Sequence, residues 1–151
     1  MRCIFQPAKT IFQTGKKEIN IKDLSGNEES ILLIEDEETV RKISRDILQR
    51  NGYTVYVAKD GKEGREQFFK YQDEIVLIFS DVVLPGIHGV DLVNEFLKIR
   101  PDLSVLMCSG YAEGDIELSE IKKKGYQFIQ KPFNVNGLLC KVKETILSVK
   151  D

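Results

Sequence analysis

From residue 31 onward, apolar and polar positions fall into blocks of two alternating periods. Ile31-Leu32-Leu33-Ile34 is an unbroken apolar run, the pattern of a strand buried on both faces. Val40, Ile43 and Ile47 follow at spacings of three and four with charges between them. That spacing predicts an amphipathic helix, which Asn51-Gly52 stops. Thr54-Val55-Tyr56-Val57 reads as a second strand. Residues 62–71 read as a weaker helix with Gly64, Phe68 and Tyr71 on one side. Gly64 costs helix propensity there, so it predicts a close approach to the sheet. Ile75-Val76-Leu77-Ile78-Phe79 is a third strand and the most apolar one. Val90, Val93, Phe96 and Leu97 mark a third helix that ends before Pro101. Residues 103–108 are a fourth strand, 112–124 a polar helix ending at Gly125, and 126–130 a fifth strand. Leu138, Val142, Ile146 and Val149 stripe a last helix, with Leu139 and Leu147 to one side and open to solvent or a partner.

Strands separated by helices need crossover connections. The expectation is an α/β fold of (βα)5 type: a doubly wound, five-stranded parallel sheet with helices on both faces. The first 30 residues lack this rhythm. They carry five basic and four acidic side chains, and Thr10-Ile11-Phe12 and Glu18-Ile19-Asn20-Ile21 flank Thr14-Gly15 as a weak hairpin. Residues 1–30 are read as a leader or linker and residues 31–151 as the domain.

Composition narrows the function. The chain has 151 residues, 42% hydrophobic and 30% charged, which suits one globular core. Its net charge of −2 argues against a protein held on nucleic acid or an acidic membrane by bulk charge. No apolar run is long enough for a membrane span or for the core of a signal peptide. Cys3, Cys108 and Cys140 are widely spaced and form no disulfide framework. His88 is the only histidine, so no zinc spacing exists. These features point to a cytoplasmic domain.

In a doubly wound sheet, ligands bind at the carboxyl ends of the strands. There the sequence places Glu35, Asp36 and Glu37 after the first strand, Asp81 after the third, Ser109 after the fourth and Lys131 after the fifth. Crowded carboxylates repel one another, and a hard divalent cation such as Mg²⁺ resolves that repulsion. An acidic first helical turn would read the same way. A carboxylate can act as a nucleophile toward phosphorus, and a lysine ammonium suits a phosphoryl oxygen. Ser109 either donates to an oxyanion or caps the helix that follows. Pro85-Gly86 suits the centre of a type II turn that shapes the loop after Asp81.

Four motifs in this order resemble the receiver (response-regulator, CheY-like) domains of two-component signalling. They are Ile-Leu-Leu-Ile-Glu35-Asp36-Glu37, Phe-Ser-Asp81-Val-Val-Leu-Pro85-Gly86-Ile-His-Gly89, Val-Leu-Met-Cys-Ser109-Gly-Tyr, and Phe128-Ile-Gln-Lys131-Pro132-Phe133. The resemblance runs from Ile31 to about Val149. It implies the flavodoxin-like strand order 2-1-3-4-5 and a phosphoacceptor signalling domain rather than an enzyme. It implies that Asp81 accepts the phosphoryl group, that Glu35, Asp36 and Asp81 bind Mg²⁺ with the Val83 carbonyl, and that Ser109 and Lys131 bind phosphoryl oxygens. Ser109 and Phe128 would form the switch, and the Lys131-Pro132 bond would be cis. Glu35 departs from the more usual aspartate but keeps the carboxylate.

The donor would be a phosphohistidine on a histidine kinase or histidine phosphotransfer protein. Helix four, strand five and helix five would form a weak homodimer or docking face. The resemblance implies that Val83 and Tyr111 flank the approach of water to the acceptor and tune self-dephosphorylation. Neither carries a carboxylate or amide, so the phospho-aspartate should hydrolyse slowly. The motifs look most like receivers at the C-terminal end of hybrid sensor histidine kinases, with a stand-alone regulator as the other reading. Two other classes stay open. A haloacid-dehalogenase-like phosphatase also uses a strand-end Asp and Mg²⁺, although it needs a second Asp where Val83 stands. A receiver-like scaffold would never be phosphorylated.

Overall fold

Every predicted apolar run pairs into one parallel sheet in the computed structural model. The structure describes residues 11–13, 18–20, 25–110 and 114–150, with side chains from 25 to 110 and from 119 to 148. The sheet strands are β3 (Ser30–Ile34), β4 (Thr54–Ala58), β5 (Ile75–Asp81), β8 (Ser104–Gly110) and β9 (Gln127–Lys131). Their order, β4-β3-β5-β8-β9, is the expected 2-1-3-4-5. The helices α1 (Glu38–Arg50), α2 (Gly61–Tyr71), α3 (Gly89–Ile99), α4 (Gly114–Lys123) and α5 (Val135–Lys150) alternate with the strands. None of the described helices is long and apolar enough to cross a membrane.

The two-residue period of the strands sorts the core into two layers. Ile31, Leu33, Leu77, Phe79 and Leu106 face α1 and α5, meeting Leu48, Leu138, Val142 and Ile146. Leu32, Ile34, Ile78 and Met107 face the other way, toward Phe68 of α2, Val93 and Phe96 of α3 and Ile121 of α4. Phe68 and Phe96 stack with ring centroids 4.3 Å apart, joining α2 to α3. Gly64 is buried where predicted: an added Cβ would lie 3.2 Å from Ile34 Cδ1.

Two helix faces differ from the expected ones. In α1 the buried residues are Ser44 and Leu48, while Ile43 is 52% exposed. A small serine can sit inside without an apolar side chain to announce it, so the buried face is rotated from the Val40-Ile43-Ile47 stripe. In α5, Leu139 is buried in the core and Leu147 packs partly buried against it. The exposed leucine pair expected on that helix is therefore absent.

Before the domain, β1 (Ile11–Gln13) pairs antiparallel with β2 (Glu18–Asn20), with Phe12 opposite Ile19. Thr10, Thr14, Gly15 and Ile21 of the expected hairpin lie outside the described residues, as does Tyr111. The chain joins the domain beside the end of α1 and along α5. Gly26 N–H donates to Asn51 O at 2.6 Å, and Lys143 Nζ donates to Ser25 O at 2.9 Å.

Candidate functional site

Three strand ends build the site. Glu35 follows β3 and extends its pairing by one bond, its N–H donating to Ala58 O at 3.0 Å. Asp81 is the last residue of β5, opposite Cys108 of β8. Lys131 is the last residue of β9, opposite Gly110 of β8. Parallel registry thus delivers two carboxylates and an ammonium to one edge from positions far apart in the chain.

Lys131 Nζ lies 2.8 Å from Asp81 Oδ2 and 2.8 Å from Glu35 Oε1. The second oxygen of each acid takes a main-chain donor. Glu37 N–H donates to Glu35 Oε2 at 3.1 Å, and Val83 N–H donates to Asp81 Oδ1 at 3.1 Å. Glu35 is 3% exposed and Asp81 6%. Asp36 joins them from an exposed position, and one carboxylate oxygen from each of the three lies within 4.8 Å of the others.

Burial raises the Glu35 pKa to about 7, and the Asp81 charge adds to the rise; the bonds from Lys131 and Glu37 N–H oppose it. Burial alone would lower Lys131, but its bonds to Asp81 and Glu35 outweigh that and hold it above its ordinary value. Burial and the neighbouring Asp81 charge oppose ionisation of Glu35, and a cation bound among the three acids would relieve that opposition. Hard oxygen donors at this separation suit Mg²⁺ or another small divalent ion.

The loop after Asp81 is a miniature ladder. β6 (Val83–Leu84) pairs antiparallel with β7 (Ile87–His88) across Pro85-Gly86. Gly86 has φ +79°, the value of the third position of a type II turn. Gly89 then starts α3 against the end of β5, its N–H donating to Val82 O at 2.6 Å. A Cβ on Gly89 would lie 2.0 Å from the Asp81 carbonyl oxygen, so no other residue fits there without moving the backbone.

The remaining candidates stand around this centre. Ser109 is buried on β8, and its hydroxyl donates to Gly110 O at 3.1 Å. Phe128 on β9 pairs with Met107 of β8 and is partly buried against the cluster that holds Ile121. Val83 is 49% exposed. The Lys131-Pro132 peptide is cis, as the resemblance implied. Beside the site runs an apolar groove lined by Val40, Ile43, Pro132 and Phe133 between Glu37 and Lys131.

Sequence reading missed two contributors. Gly89 was visible only as part of a motif, because its need arises from how closely α3 approaches Asp81. Arg41 looked like a surface charge of α1, yet its Nη1 donates to Glu35 O at 2.9 Å and to Asp36 O at 3.4 Å.

The family model described as response regulator receiver domain matches residues 31–143. The sensor kinase CckA of Brucella abortus is 37% identical over 131 residues, covering 87% of this chain and 14% of that kinase. The chemotaxis protein CheY of Thermotoga maritima is 30% identical over 104 residues, covering 68% of this chain and 85% of CheY. A CheY-like receiver domain structure from Methanospirillum hungatei superposes with a TM-score of 0.72 at 28% identity, covering 81% of this chain and 96% of that one. The chain therefore matches a small part of the kinase and nearly all of the single-domain proteins.

Proposed function

The chain belongs to the response regulator receiver domain family, a phosphoacceptor signalling family rather than one of enzymes, and on that premise we propose that Asp81 takes a phosphoryl group from a phosphohistidine. The observation that carries this is the double hold of Lys131 on Asp81 and Glu35 at the carboxyl edge of the sheet. A carboxylate oxygen of Asp81 attacks phosphorus, the phosphorus–nitrogen bond breaks, and the imidazole leaves with the bonding pair. Transfer of this kind asks the protein for position and charge more than for covalent chemistry. Lys131 turns from the carboxylates toward a phosphoryl oxygen, and the Ser109 hydroxyl offers a second donor. Glu35, Asp36 and Asp81, with the Val83 carbonyl, would hold Mg²⁺, which supplies charge neutralisation on the transferring group.

The output side follows from the same strands. Once Ser109 engages the phosphoryl group, Phe128 on the neighbouring strand turns inward and the face of α4, β9 and α5 changes shape. That face is where a second copy or an output partner would dock. Val83 beside the acceptor offers no polar group to orient water, which supports a slowly hydrolysing product. The apolar groove along α1 opens at the rim of the acceptor, which supports docking of the donor's helix there. A histidine kinase or phosphotransfer protein fits that place, and a cytoplasmic setting fits both partners. The similarity to CckA supports a hybrid-kinase receiver. A phosphatase reading lacks its second aspartate, since Val83 occupies that position.

Incubation with Mg²⁺ and acetyl phosphate, followed by intact-mass measurement, tests the assignment. A mass increase of one phosphoryl group is expected in the wild type and not in Asp81→Asn. An adduct that persists in Asp81→Asn overturns it.

A further inference from the structure

The three acids of the site are not held alike. Glu35 and Asp81 each have both oxygens engaged, by Lys131 and by a main-chain N–H. Among the described residues, no hydrogen bond or ion pair reaches the Asp36 side chain, and the residue is exposed. What is fixed is its main chain. Arg41 lies one turn into α1, its own N–H bonded to Glu37 O at 2.9 Å, and its guanidinium folds back over the loop. Its Nη1 donates to Glu35 O and, at longer range, to Asp36 O. Those carbonyls belong to the peptide before Asp36 and the peptide after it. Holding both planes restricts φ and ψ at Asp36, and so sets the direction of its Cα–Cβ bond.

We propose that Arg41 is a positioning residue that aims the Asp36 carboxylate into the metal site by clamping the peptides on either side of it. This rests on the reading of Glu35, Asp36 and Asp81 as the metal ligands. A ligand without side-chain partners depends on its backbone for aim, and a small error in aim is costly for an ion that demands near-octahedral geometry. The sign of the effect separates this role from plain electrostatics. A guanidinium near a cation site repels the cation, so charge alone predicts that removing Arg41 tightens binding. Positioning predicts the reverse.

The test is titration of the full chain with MgCl₂ alone, followed by the backbone amide shifts of residues 35–37 and 81–83. Arg41→Met should weaken Mg²⁺ binding by about three- to tenfold, a tenfold change corresponding to about 1.4 kcal/mol. Arg41→Lys, which keeps the charge and a donor, should recover part of that. Ca²⁺ tolerates irregular coordination, so its affinity should fall less and the Mg²⁺-to-Ca²⁺ preference should shrink. Unchanged or tighter Mg²⁺ binding in Arg41→Met overturns the proposal, as does an equal loss for both ions. If Arg41→Met fails to fold, Arg41→Gln is read in the same way. A wild type that shows no response to Mg²⁺ overturns the metal-site reading itself, which is a separate outcome.

Discussion

Two inner strands, β3 and β5, and one of the two edge strands, β9, share one site but differ in how deeply they are buried. Every residue of β3 is buried, as are six of the seven in β5. No residue of β9 is buried, and the strand pairs only with β8. The acids come from the inner strands, Asp81 at the end of β5 and Glu35 just beyond β3. The cation Lys131 and the proposed switch aromatic Phe128 come from the edge. A phosphoacceptor must hold its nucleophile still while its readout moves. On the proposed assignment, the two demands fall on strands of unequal burial.

That contrast can be broken by substitution. Phe79→Ala removes a ring that is 2% exposed at the sheet centre and should cost about 3–5 kcal/mol. Phe128→Ala removes a partly buried ring and should cost about 1–2 kcal/mol. Urea denaturation of the two variants decides, and equal losses would remove the distinction.

The contact between the halves gives a second measurement. Glu35 is raised from 4.5 to about 7 in the fold. Between those values the folded state binds the proton more tightly than the unfolded chain does. Without metal, stability should therefore fall as pH rises from about 4.5 to about 7, and then level off, the total being roughly 1–3 kcal/mol for this group. Glu35→Gln should lose that slope. Urea midpoints in metal-free buffer at the two ends of the window would show it, and an unchanged slope in Glu35→Gln would assign it elsewhere.

Hydrogen exchange supplies the finest comparison. Amides of β9 should exchange through local openings of lower free energy than those of β5. A phosphoryl mimic that engages Lys131 should slow exchange in β9 and leave β5 nearly unchanged. Equal protection in the free protein would contradict the division.

Legibility in the sequence followed the same line. The inner strands were plain because burial on both faces demands unbroken runs such as Ile75 to Phe79. The strand-end acids and Lys131 were legible because strand ends are where such a sheet places its chemistry. The α1 face was misjudged because Ser44 carries no apolar mark, and Ile43 is exposed at the groove rather than in the core. The β6–β7 ladder escaped notice because two-residue strands have no period. Arg41 acts on carbonyls, and carbonyls are the same at every position, so no side-chain pattern announces it.

The Lys131–Asp81 contact spans 50 positions of chain. Glu35 lies on the far side of Asp81, so the site draws on nearly the whole length of the domain. During synthesis, the acids emerge before the residue that neutralises them. A nascent or clipped chain ending before β9 would carry the proposed nucleophile Asp81 without the cation that pairs with it. On the proposed reading, competence to receive a phosphoryl group therefore requires the last strand of the sheet to be in place.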